Sequence, residues 1–265
     1  MRQLISALAL AAAATTASAG GVSLVASDTF DSYGIGAVAG ANGGTGFAGA
    51  WTGSAGVGVV AANASDAPMS GQALRFTTPN TDTAATRTLA TALSSSFLVS
   101  FDFQFDGGAI GDNDFLGLWF GSTFGPNIGL KSNCGTGGAC TADLFVRTSG
   151  TSGVFSRNIA IGETVSLTGL FEKVGGSATY NRASLWVGSA LESYGSMGAA
   201  DVVFTGASTV GSISTIGFRT AFLDDSPRDS LLVDNLRIAV VPTPGTLALL
   251  GLGLVAAGLA SRRRR

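Results

Sequence analysis

Asp102 and Asp106 share one face of the stretch FLVSFDFQFD, and Glu163, Glu172 and Glu192 are the only glutamates among 265 residues. Two carboxylates at a suitable separation can hydrolyse a glycoside, one as acid and the other as base or nucleophile. Four residues along a strand is about 13 Å, beyond that spacing, so outward, solvated aspartates are expected. Glu172 lies in a strand-like segment and the other two glutamates in turns, and the paired-carboxylate pattern Glu-x-Asp-x-x-Glu does not occur. With no histidine anywhere, imidazole-activated nucleophiles and His-based metal sites are excluded. The expectation is a protein without catalytic activity.

Clustered oxygens suit Ca²⁺, and Asp112-Asn113-Asp114 after a glycine-rich turn is the candidate cluster. Asp224-Asp225 with Asp229 forms a second acidic loop, and Asp234-Asn235 sits in the last strand-like segment. Neither loop has the glycine and twelfth-position glutamate of an EF-hand, and Asp and Asn are ordinary turn formers. No cofactor is required by any motif; calcium is the one candidate. Cys134 and Cys140, in CGTGGAC, are expected to form a small-loop disulfide worth on the order of 2 kcal/mol.

Sugars stack on aromatic faces. Trp119 and Trp186 interrupt apolar strand-like runs, where burial is expected, and Tyr33, Tyr180 and Tyr194 are further aromatic candidates. Trp51, in a Gly/Ala-rich stretch from Tyr33 to Ala62 read as one long surface loop, is the preferred ligand-contacting residue.

These groups must be positioned by strands. Phe97, Val99, Phe101, Phe103 and Phe105 alternate with polar residues, the period of a half-buried strand. Further strand-like segments fall at 73–78, 114–121, 143–148, 164–174, 183–188, 201–206, 212–220 and 230–240, separated by Gly, Asn, Asp or Ser clusters. No sustained helical period occurs between residues 20 and 240. This predicts an all-β fold, an antiparallel β-sandwich over 20–240. Strand count and rhythm resemble the concanavalin A-like/laminin-G jelly roll, and that resemblance implies pairing of Val22–Phe30 with the closing strand Ser230–Val240.

Ten basic residues face seventeen acidic ones once Arg2 and the four terminal arginines are set aside, a net charge of −7. The remaining basic residues are scattered, so no nucleic acid is expected as a partner.

Both ends read as trafficking signals. Arg2, the apolar LISALALAAAA and Ala17-Ser18-Ala19 make a signal peptide over 1–19 for signal peptidase. Thr246 to Ala260 carries no charge over fifteen residues, about 22 Å of helix against about 30 Å of hydrocarbon, a shortfall that snorkelling arginines and thinning absorb. Arg262, Arg263, Arg264 and Arg265 place the tail on the cytoplasmic side. Pro242 and Pro244 keep the preceding residues extended and open to a processing enzyme.

The order Val241-Pro242-Thr243-Pro244-Gly245, then LALLGLGLVAAGLA, then SRRRR resembles the PEP-CTERM sorting signal over residues 241–265. Thr243 stands where that family has its name-giving glutamate. The resemblance implies a Gram-negative, exopolysaccharide-producing source, a transient inner-membrane anchor, and processing by an exosortase, a membrane transpeptidase. A plain C-terminal anchor is the alternative. Two roles follow: a non-enzymatic structural or adhesive component of the cell surface or extracellular matrix, or a lectin-like module, calcium-dependent or not, for which extracellular polysaccharide is the partner.

Overall fold

A computed structural model describes residues 21–62, 68–78, 80–106, 111, 113–132, 143–223 and 229–241. The chain forms strands β1 (Ser23–Asp28), β2 (Gly36–Ala37), β3 (Thr52–Gly53), β4 (Val57–Ala61), β5 (Gln72–Phe76), β6 (Thr81–Leu93), β7 (Phe97–Asp106) and β8 (Phe115–Phe120). There follow β9 (Asn127–Lys131), β10 (Leu144–Arg147), β11 (Gly153–Phe155), β12 (Thr164–Glu172), β13 (Arg182–Val187), β14 (Val202–Thr205), β15 (Ile213–Ala221) and β16 (Ser230–Val240). One 3₁₀ turn, Leu191–Ser196, interrupts them.

The larger sheet runs β14-β13-β12-β7-β16-β5-β4-β2, with β1 also on β16; the smaller runs β11-β10-β9-β8-β15-β6-β3. All these pairings are antiparallel. The expected closing pair is present: Ser23 stands opposite Val240 and Asp28 opposite Leu236. β16 therefore has two partners on one edge, β5 at Leu231–Val233 and β1 from Leu236 onward. A bulge between Asp234 and Arg237 lies where the partner changes.

Period two in β7 sends its five alternate apolar residues into the core, where Phe97 of the larger sheet meets Phe120 of the smaller at 4.9 Å between ring centres. The other face of β7 departs from expectation, since Leu98, Ser100, Asp102 and Gln104 are buried too and only Asp106 is exposed. Leu98 lies under Leu170, Trp186 and Leu191, so the 3₁₀ turn caps part of the outer surface. Gln104 Nε2 donates to Gly162 O and Thr164 Oγ1.

The stretch from Tyr33 to Ala62 is a second correction. It contains β2, β3 and β4, and Trp51 is 1% exposed. The cause is an ion pair across the sandwich: Arg87 Nη1 on β6 donates to Asp28 Oδ2 on β1 at 2.6 Å. Asp28 also accepts Trp51 Nε1 at 2.9 Å and the Tyr33 hydroxyl. Arg87 donates to Gly49 O, Asn42 Oδ1 and Gly43 O and stacks 4.1 Å from the Phe47 ring centre. Every polar group of this cluster gains a partner, which is the condition for burying it. Burial and the Asp28 hydrogen bond push the Tyr33 hydroxyl up to about 12.

No helix among the described residues is long and apolar enough to cross a membrane. The expected signal peptide over 1–19, Pro242 to Gly245, the segment 246–260, Arg262 to Arg265, Asp112, and Cys134 with Cys140 lie outside the described residues; Val241 is inside and donates its N–H to Ser96 O.

Candidate functional site

The outer face of each sheet carries a depression. That on the larger sheet, about 310 Å³, is lined by Ser100, Asp102, Ser166, Asn235 and Arg237. Asp102 and Asp234 are cross-strand neighbours on β7 and β16. Asn235 adopts φ 53° in the bulge, a left-handed conformation that asparagine tolerates. Its Nδ2 donates to Asp102 Oδ2 at 2.7 Å, while Asp102 Oδ1 accepts Ser166 Oγ at 2.6 Å. Asp234 is nearly inaccessible and accepts the backbone N–H groups of Ser70 and Asn235. Burial pushes its carboxyl up to about 7 against those hydrogen bonds, with Asp31 and Asp102 adding to the rise. The expectation of solvated aspartates thus fails at Asp102, which joins a carboxylate pair clamped into the sheet.

The remaining sequence candidates separate. Glu172 faces Arg182 across β12 and β13 at 3.5 Å. Glu163 binds Arg157 at 2.7 Å and accepts Ala160 N, and the Arg157 hydrogen bond lowers its carboxyl from the ordinary value. Asp114 is buried and accepts Gly111 N, whereas Asn113 Oδ1 accepts Lys131 Nζ at 2.8 Å. An ammonium at that oxygen opposes a divalent cation there. Among the described residues no group of three carboxylate or thiol side chains is arranged to hold a metal. Asp229 is buried, and Asp224 and Asp225 lie outside the described residues. Trp119 and Trp186 are buried as expected; the stacking candidates Tyr33 and Tyr180 prove buried as well, and Tyr194 is half-buried. Trp51 presents no face to a ligand.

The second depression, about 430 Å³, crosses five adjacent strands of the smaller sheet from β11 to β15. It falls in the range that holds small ligands. Period two on β10 buries Leu144 and Val146 inward and turns Phe145 and Arg147 outward. Arg219 comes from β15, Lys131 from β9, Phe115 from β8 and Phe155 from β11. Phe124 and Phe222, 58% and 50% exposed, stand on loops at its rim.

Arg147 lies over this floor, its guanidinium carbon 4.3 Å from the Phe145 ring centre and 5.4 Å from Phe155. Gly153, opposite it on β11, makes this path available: a Cβ there would stand 2.2 Å from Arg147 Cγ. Arg219 is held by Asp82 at 2.9 Å and lies 5.3 Å from both Phe115 and Phe124. Desolvation, with the nearby Arg219 charge, lowers Arg147 to about 10, still cationic at neutral pH. The sequence reading missed this site, although an arginine inside the apolar run LFVR was a visible signal.

No family model matches the sequence, and no curated protein matches it. Solved structures do. The botulinum neurotoxin type G receptor binding domain aligns at 12% identity and TM-score 0.49 over 84% of this chain, which spans about half (49%) of that chain. Domain 4 of AbnA, an extracellular GH43 arabinanase from Geobacillus stearothermophilus in complex with arabinotriose, gives 12% and 0.45 over 83% and 93% of the two chains. The alginate lyase Aly36B gives 12% and 0.47 over 84% and 99%. The likeness is one of β-sandwich architecture.

Proposed function

We propose that this protein is an exported, non-catalytic β-sandwich that holds carbohydrate at the cell surface or in the extracellular matrix. The trough on the smaller sheet carries this reading. Two exposed phenyl rings at the rim of a strand-built depression offer flat apolar faces, and the charged donors beside them suit ring oxygens and hydroxyls. Glu163 and Glu172 are held in ion pairs, which supports a binding role over hydrolysis by either of them. Export rests on the signal peptide read at 1–19 and on the sorting segment read at 241–265, with signal peptidase and an exosortase-type transpeptidase as processing partners.

A glycan array probed with the full-length chain, with and without Ca²⁺, tests the reading. Binding that Phe124→Ala weakens supports it. Silence across the array would leave the structural matrix role in its place. Loss of binding on chelation would restore calcium to the account.

A further inference from the structure

The trough holds a cation that the described residues do not complete. Arg147 is 7% exposed, so its guanidinium is largely withdrawn from water. Nη1 donates to Gly150 O at 3.0 Å, and Nε is buried with no acceptor. Nη2 has no acceptor among the described residues either, yet it is not one of the sealed atoms. It is the edge of the guanidinium left at the trough. No carboxylate pairs with Arg147, and none lines the depression among the described residues. The neighbouring Arg219, although paired with Asp82, brings a second positive charge toward the first. A desolvated guanidinium beside a like charge is disfavoured until an anion of its own joins it.

We infer that the trough selects a carboxylated glycan, a chain of hexuronate units, whose carboxylate is taken by the open edge of Arg147 while Phe124 and Phe222 flank the sugar ring. This rests on the carbohydrate-binding reading above and names its ligand class. The open Nη2 can give a carboxylate oxygen a charge-assisted hydrogen bond, roughly twice as strong as one between neutral groups. Single-stranded nucleic acid also pairs cations with aromatic faces. Here, however, the Phe145 and Phe155 rings are already covered by Arg147, which leaves two separate rim rings in place of a stacking ladder.

The test is calorimetric titration of the full-length chain with tetragalacturonate, its methyl ester, a neutral glucan tetramer and a single-stranded oligonucleotide. The free acid should bind at least about tenfold more tightly than its ester, and Arg147→Gln should erase that preference. Phe124→Ala should weaken acid and ester alike, and its exposed position keeps this arm informative if Arg147→Gln disturbs folding. Equal affinity for acid and ester would overturn the inference and leave the carbohydrate reading standing. No binding to any sugar would overturn both. Tighter binding of the oligonucleotide, or an acid preference untouched in well-folded Arg147→Gln, would overturn the inference alone.

Discussion

Arg147 and Phe145, two residues apart on β10, sit cation over ring at 4.3 Å on a sheet face where every alternate residue points outward. Arg87 is buried as deeply, but the two arginines differ in what completes them. Arg87 meets a carboxylate and four further oxygens, whereas among the described residues Arg147 Nη1 meets one carbonyl and its other guanidinium nitrogens none.

Methionine substitutions should separate the two roles. Arg87→Met strands Asp28 as an unpaired buried charge and should cost about 3–5 kcal/mol. Arg147→Met gives up a cation–π contact but removes an incompletely solvated charge, so the change should stay within about 1 kcal/mol. Urea unfolding of both variants checks the contrast.

Gly153→Ala tests positioning without touching a charge. The added methyl stands against Arg147 Cγ and the backbone at Val146 O and Arg147 Cα, so both the arginine's path and the β10–β11 pairing must shift. Glycan affinity should fall several-fold with the far-UV circular dichroism unchanged. Unaltered affinity would show that the arginine's path over β11 is immaterial.

Asp234 makes stability depend on pH near neutrality. Its carboxyl is raised to about 7, above its value in the unfolded chain, so the native state holds the proton more tightly. The contribution is fully present below about pH 4 and is lost as pH rises through 7. Between pH 5 and 8 the unfolding free energy should fall by on the order of 2 kcal/mol, and Asp234→Asn should flatten that slope. Thermal melts across this range decide it.

At the C-terminus, replacing Arg262 to Arg265 by serine removes the charges that would hold the tail on the cytoplasmic side. The variant should lose retention at the processing step, visible as a gel shift. Normal maturation would favour a plain anchor or no anchor.

Much of the sandwich was legible because period two is a local property. FLVSFDFQFD, SISTIGFRT and SLLVDNLRIAV became β7, β15 and β16 nearly residue for residue. β6, the longest strand, was missed because TDTAATRTLATAL has no large apolar alternation; it packs through Ala84, Ala85 and Leu89 beside the buried Arg87. Trp51 was misplaced because its glycine-rich surroundings suggest exposure, while the residues that bury it, Asp28 and Arg87, lie 23 and 36 positions away. The trough was hidden for the same reason. Arg147, Arg219 and Lys131 come from three strands, and a net charge of −7 gave no sign that they converge.

Hydroxyl-radical footprinting of the full-length chain with and without a bound oligosaccharide from the array tests the site most directly. The account predicts protection of Phe124 and Phe222 on the smaller sheet, with Tyr194 beside the outer face of the larger sheet unchanged. Protection at Tyr194, with Phe124 and Phe222 oxidised as in the free protein, would contradict it.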